Sequence, residues 1–194
     1  MKKANITVAC LLAVSALSCG QVPLDRSGRL STLSGVSIQP PQEPNWQTLL
    51  ASTYQLSLGK RGPRRNETYI ASVQLYPLPD LASEQDFRKT ISEGRVAEPN
   101  TGRFRLLTNI ENLVSMKGTW CVEYHTVSED RAAKTPDGPL TMIRDEYGYH
   151  CQHPLKKNVG VFFSYSLRHA AGDEDLELPR KAEAFLKSVN FVDF

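Results

Sequence analysis

The sequence predicts an α+β domain: a mainly antiparallel sheet flanked by helices. Three observations lead there. Apolar residues alternate with period two in several segments, as at Tyr69, Ala71, Val73 and Leu75. Helical starts and stripes occur in two places, around Phe87 and near the C-terminus. Connections are short and marked by Gly and Pro, and the long β-α-β alternation of a parallel sheet is absent.

The elements follow in order. GVSIQ, Gly35 to Gln39, is a short strand stopped by Pro40 and Pro41, which cannot donate to a ladder. Trp46 to Leu50 is predicted as a helical turn. TYQLSLGK is a strand, and the GKRGPRRNE segment after it reads as a turn. ETYIASVQLYPL alternates strongly until Pro77 and Pro79 end it. Ser83 then caps a helix, with Asp86 three residues on as a shortened capping box, and Phe87 and Ile91 face inward. Gly94 weakens its last turn. RFRLLTNIENLV is a strand of mixed pattern. TWCVEYHTV places Trp120, Val122 and Tyr124 on one side, and MIRDEYGYHCQH and NVGVFFSYSLRH continue the sheet. In the final helix Leu178, Ala182, Phe185, Leu186 and Val189 form one apolar stripe. Pro179 falls in its first turn, where a missing N–H does little harm.

The N-terminus carries the form of an export signal. Lys2 and Lys3 precede ITVACLLAVSAL, which is too short and too interrupted by polar residues to span a bilayer. Plain secretion is one reading of residues 1–18. Ala16, Leu17 and Ser18 directly before Cys19 resemble a bacterial lipobox more closely, with Ala16 in place of the more usual leucine. The resemblance implies acylation of Cys19, removal of the leader and anchoring at the cell envelope through the lipid. Because Gly20 rather than an aspartate follows, it implies the outer membrane, facing the periplasm, where the source has two membranes. Residues 19–34 then serve as the lipidated cysteine and a polar tether, and 35–194 as a single domain. Removing Lys2 and Lys3 from 23 basic residues leaves 21, equal to the 21 acidic ones. A near-neutral mature chain gives no electrostatic footprint for nucleic acid.

The order of elements, from GVSIQPP through a Trp, edge hairpins, a central helix and more strands to a last helix ending in SVNF, resembles the PsbP/Mog1-like α/β/α sandwich. That resemblance implies binding or assembly roles, and the lipid anchor makes an envelope protein the expected partner. It offers no shared active site and no cofactor.

With Cys10 in the leader and Cys19 lipidated, Cys121 and Cys151 remain, an even pair in an exported chain. A disulfide between them would close about 30 residues and stabilise the fold by roughly 3–4 kcal/mol in the chain-entropy model. The competing reading is a zinc or copper site from Cys121, His125, His150, Cys151 and His153. Strand alternation weakens it, since His150 falls on the face opposite Cys151. In an antiparallel register that sets Cys121 across from Cys151, Glu123 meets Tyr149, His125 meets Tyr147 and Thr119 meets His153. Glu123, His125, Tyr147, Tyr149 and His153 then form a polar, aromatic candidate binding patch. His125 with Glu123 is the best acid/base pair for a hydrolase-like alternative, but no GxSxG, HExxH or phosphate-binding glycine loop is present. Lys60, Arg61, Arg64 and Arg65 form a candidate anion contact in the GKRGPRR turn.

Overall fold

The computed structural model of the chain describes residues 22–23, 31–96, 102–132, 134–135, 138–139 and 141–194. The leader and Cys19 lie outside the described residues. The first strands are β1 (Val22–Pro23), β2 (Ser31–Leu33), β3 (Val36–Ile38), β4 (Gln47–Ala51), β5 (Gln55–Arg61) and β6 (Thr68–Pro77). Helix α1 (Glu84–Val96) leads into β7 (Phe104–Met116), β8 (Thr119–Asp130), the two-residue β9 (Lys134–Thr135) and β10 (Gly138–Pro139). Then come β11 (Met142–His153), β12 (Lys156–Ala170), α2 (Leu178–Ser188) and β13 (Asn190–Phe191). Eight strands build one sheet in the order β1-β4-β5-β6-β12-β11-β8-β7, every neighbouring pair antiparallel. A small sheet, β13-β3-β2, closes one end. The predicted class is the observed one.

The helices take opposite faces of the large sheet. Ser83 caps α1: its hydroxyl accepts the Asp86 N–H at 3.1 Å and donates to the Asp86 carboxylate at 2.8 Å. Phe87 and Ile91 are buried against Val122, with Trp120 and Leu113 beside them. On the other face the α2 stripe of Leu178, Ala182, Phe185 and Leu186 is buried, in the larger core that also holds Cys121, Cys151, Phe163 and Tyr165. Period two along β6 sends Tyr69, Ala71, Val73 and Leu75 into that core, as the alternation predicts. No helix among the described residues is long and apolar enough to cross a membrane.

Two local expectations give way to strand pairing. Trp46 to Leu50 does not form a helical turn. Asn45 turns the chain at φ 72°, Trp46 is buried with its Nε1 donating to Glu43 at 3.0 Å, and the residues after it pair with β5. Five residues gain little from a helix with a costly nucleus, whereas a neighbouring strand satisfies their backbone at once. The polar segment before residue 35 is likewise not all tether. Ser31–Leu33 pairs with β3 across a turn in which Gly35 has φ 76°, and Leu33 is buried.

Buried polar groups on the α1 face are matched. The Tyr124 hydroxyl donates to Glu146 at 2.7 Å, and the Arg95 guanidinium lies 3.5 Å over the Tyr124 ring. At the far end of β8, buried Asp130 accepts two bonds from Arg103 and one from Arg168, tying β8 to the residue before β7 and to β12. The Arg103 bonds hold the Asp130 carboxyl below its ordinary 3.8.

His150 is hydrogen-bonded to Tyr76 at 3.2 Å, and burial, with Arg95 nearby, lowers its pKa to about 3. The unfolded chain binds a proton on this residue below its ordinary 6.5, while the folded chain resists it down to about 3. Stability is therefore expected to fall as pH drops through that window, by at most about 1.4 kcal/mol per unit from this group. Urea titrations from pH 7 to 4 measure the slope, and His150→Gln is expected to flatten it.

Candidate functional site

The register of β8 on β11 assembles the site. Cys121 pairs with Cys151, Glu123 with Tyr149 and His125 with Tyr147, all on the α2 face. The two cysteines stand 4.1 Å apart at Cα with their sulfurs at bonding distance. On the opposite face Gly148 sits across from Tyr124, and only the lack of a side chain permits this. A Cβ there would lie 2.6 Å from the Tyr124 hydroxyl and 2.7 Å from the Phe163 carbonyl oxygen.

Each cross-strand pair is bonded or stacked. Tyr149 donates its hydroxyl to Glu123 at 2.5 Å, and its ring stacks on Phe163. The His125 and Tyr147 rings lie parallel, 4.1 Å between centroids, and His125 Nε2 meets Asp145 at 2.8 Å. Burial first, then the bond to Glu123 and the negative charge of Glu123 and Glu183, push the Tyr149 phenol well above its ordinary range. Burial and the charge of Asp145 also raise the Tyr147 phenol.

These four side chains floor a cavity of about 370 Å³. Ile110, Asn112 and Met116 of β7 form one side. Helix α2 forms the other, with Pro179, Ala182 and Leu186 as apolar wall and Glu183 and Lys187 at its rim. Lys117 fixes the end of that wall. It occupies the two-residue turn between β7 and β8, where Lys117 and Gly118 both have positive φ (51° and 80°). From there its ammonium donates to the Lys187 carbonyl at 3.2 Å, to the Val189 carbonyl, and to Asn190 Oδ1 at 2.7 Å. The Lys187 and Val189 oxygens are carbonyls that a helix end leaves without partners, and a cation suits that end of the dipole.

His153 does not belong to the patch. A register irregularity between Gln152 and His153 takes it out of the alternation, and Thr119 bonds the Gln152 carbonyl instead. His153 is fully buried at the small sheet, its Nε2 2.8 Å from the Gly35 carbonyl oxygen, between Phe191 and Phe194. The zinc or copper ligand set is dispersed in the same way: His125 faces Asp145, His150 lies on the α1 face and His153 at the small sheet. Among the described residues no group of three or more metal-binding side chains converges.

The four cations of the GKRGPRR segment are also divided. Alternation in β5 puts Lys60 on the core side with Leu56 and Leu58, its Nζ 4.7 Å over the Tyr69 ring and 5.3 Å over Trp46, and burial lowers its pKa. Arg61 faces the other way and is exposed. Arg64 bonds the Asp173 backbone and pairs with its carboxylate at 3.7 Å, while Arg65 lies in the exposed turn. They build no single anion site.

Sequence reasoning missed the walls. Glu183 and Lys187 form a largely exposed i,i+4 pair at 2.5 Å and carry no motif that marks them in the sequence. The signal available was their position beside the apolar stripe. No pattern announced Lys117.

No protein-family model matches the sequence, and no curated protein matches it significantly. Solved structures similar in arrangement include two of Mog1. A Mog1 point mutant shares 13% identity and covers 85% of this chain and 96% of its own, at a TM-score of 0.44. The Ran-binding protein Mog1p of Saccharomyces cerevisiae shares 12%, covering 86% and 97%, at 0.43. Neither likeness carries a partner or a site across.

Replacing Lys117 with Met keeps the stem and removes the donors. The expected cost is about 1–3 kcal/mol, because two helix-end carbonyls lose their partner. Thermal denaturation checks the loss, and hydrogen exchange is expected to place it in the last turn of α2.

Proposed function

We propose that the chain is an envelope lipoprotein whose folded part is a non-catalytic binding or assembly-accessory domain, with the α2-face cavity as its binding place and another envelope protein as its partner. Fatty acids on Cys19 provide the membrane attachment, and two or three acyl chains suffice for stable anchoring. In an oxidising compartment Cys121 and Cys151 close a disulfide beneath the cavity floor.

The observation that carries the binding assignment is the make-up of the cavity lining: paired aromatic and carboxylate side chains facing an apolar wall, with no Ser, Thr or Cys among them. An acyl-transfer site needs a nucleophile within reach of its base. Here His125 is engaged with Asp145 and Glu123 with the Tyr149 phenol, and the lining places no Ser, Thr or Cys beside either. The hydrolase-like alternative therefore lacks the Ser, Thr or Cys nucleophile of an acyl-transfer site in this lining.

Two measurements test this reading. In cells fed an alkyne fatty acid, the wild-type chain is expected to take the label and sediment with membranes. Cys19→Ser is expected to stay unlabelled, and an unchanged label would end the anchoring proposal. A photo-crosslinking residue at position 183, on the cavity rim, is expected to trap a discrete envelope protein in intact cells. The same residue at position 89, on exposed α1, is expected to give none; equal trapping at both would remove the cavity as the binding place.

A further inference from the structure

The cavity has a charge asymmetry that its own side chains do not resolve. Glu123 rises from the sheet floor and Glu183 stands on the helix wall. Glu123 accepts the Tyr149 hydroxyl, but among the described residues no Lys, Arg or His pairs with it. Lys187, the one Lys or Arg in the lining, is committed to Glu183 in a largely exposed pair, which contributes little. The imidazole of His125 is matched by Asp145. The site is left with a carboxylate excess, held beside two tyrosine rings and opposite an apolar wall that includes Ile110, Met116 and Leu186.

Resting on the reading of this cavity as the binding place, we infer that it takes a protonated amine or guanidinium carried on an apolar stem. The cation meets Glu123 from the front, where the bond from Tyr149 fixes the carboxylate's orientation, and the Tyr147 and Tyr149 rings add their negative faces. The stem lies along Met116 and Leu186. A neutral ligand of the same shape would leave Glu123 without a cationic partner in a half-buried place. An anionic one would meet two carboxylates.

Two sources offer this chemistry: a Lys or Arg side chain of a partner protein, and a free small organic cation. The test uses the full mature chain in non-ionic maltoside micelles, with the ring signals of Tyr147 and Tyr149 followed by NMR. n-Butylguanidinium is expected to shift them saturably, and its neutral isostere n-butylurea to bind at least about tenfold more weakly, one charge-assisted bond being worth that factor. Glu123→Gln is expected to weaken n-butylguanidinium about tenfold and leave n-butylurea unchanged. Glu183→Gln, at an exposed helix position with no role in the core, is expected to weaken it less and to melt as the wild type does. A blocked Ala-Arg-Ala peptide binding tighter than n-butylguanidinium assigns the source to a protein side chain; equal or weaker binding assigns it to a free cation. Equal affinity for n-butylurea and n-butylguanidinium overturns the cation inference while the cavity stands as a binding place. If neither compound moves the tyrosine signals, both readings fall.

Discussion

Between β8 and β11 the pairing runs from Met142–Asp130 to Cys151–Cys121, and everything said of the cavity depends on that alignment. A slip of β8 by one residue would turn Glu123 and His125 to the α1 face, bring Val122 and Tyr124 under α2, and separate Glu123 and His125 from Tyr149 and Tyr147. Several features oppose the slip. The cysteines mark the alignment at one end, and Asp130, held by Arg103 and Arg168, marks it at the other. Gly148 supplies a third mark in the middle, since only a glycine fits beneath the Tyr124 ring.

The two faces of the same strands have different work. On the α1 side, polar groups are satisfied internally: Tyr124 by Glu146, and His150 by Tyr76. On the α2 side Glu123 has a hydroxyl but no cation as its partner, the buried Tyr165 hydroxyl has no hydrogen-bond partner among the described residues, and the layer above stands away from the sheet far enough to leave open volume. Buried polar groups are normally matched. A carboxylate without a cation, facing open volume, is where a ligand has something to gain.

Much of this was legible from residue order. Alternation in β6 and β8, the Ser83 cap and the α2 stripe each depend on neighbours a few residues apart, and these appeared as expected. The alignment of Glu123 with Tyr149 was also readable, because two cysteines act as a ruler between distant strands. What failed did so for tertiary reasons. The irregularity after Gln152 removed His153 from a face that simple alternation assigned to it. The strand identity of β5 sent Lys60 inward although the local composition reads as a charged turn. The wall built by Glu183, and the Lys117 bond that fixes its end, depend on where α2 comes to rest, which no short window of sequence encodes.

Strand β7 closes the sheet on one side with no strand beyond it among the described residues, over thirteen residues that leave Leu106, Leu107 and Ile110 exposed. A straight, flat border of that length and apolarity would recruit strands from other copies and stack them into fibres. The pairing with β8 skips at Leu107, so the border is broken between a short piece and a longer one beginning at Thr108. That interruption works as a guard against self-templating. Straightening it by deleting Leu107 would turn a soluble rim into a seed for aggregation.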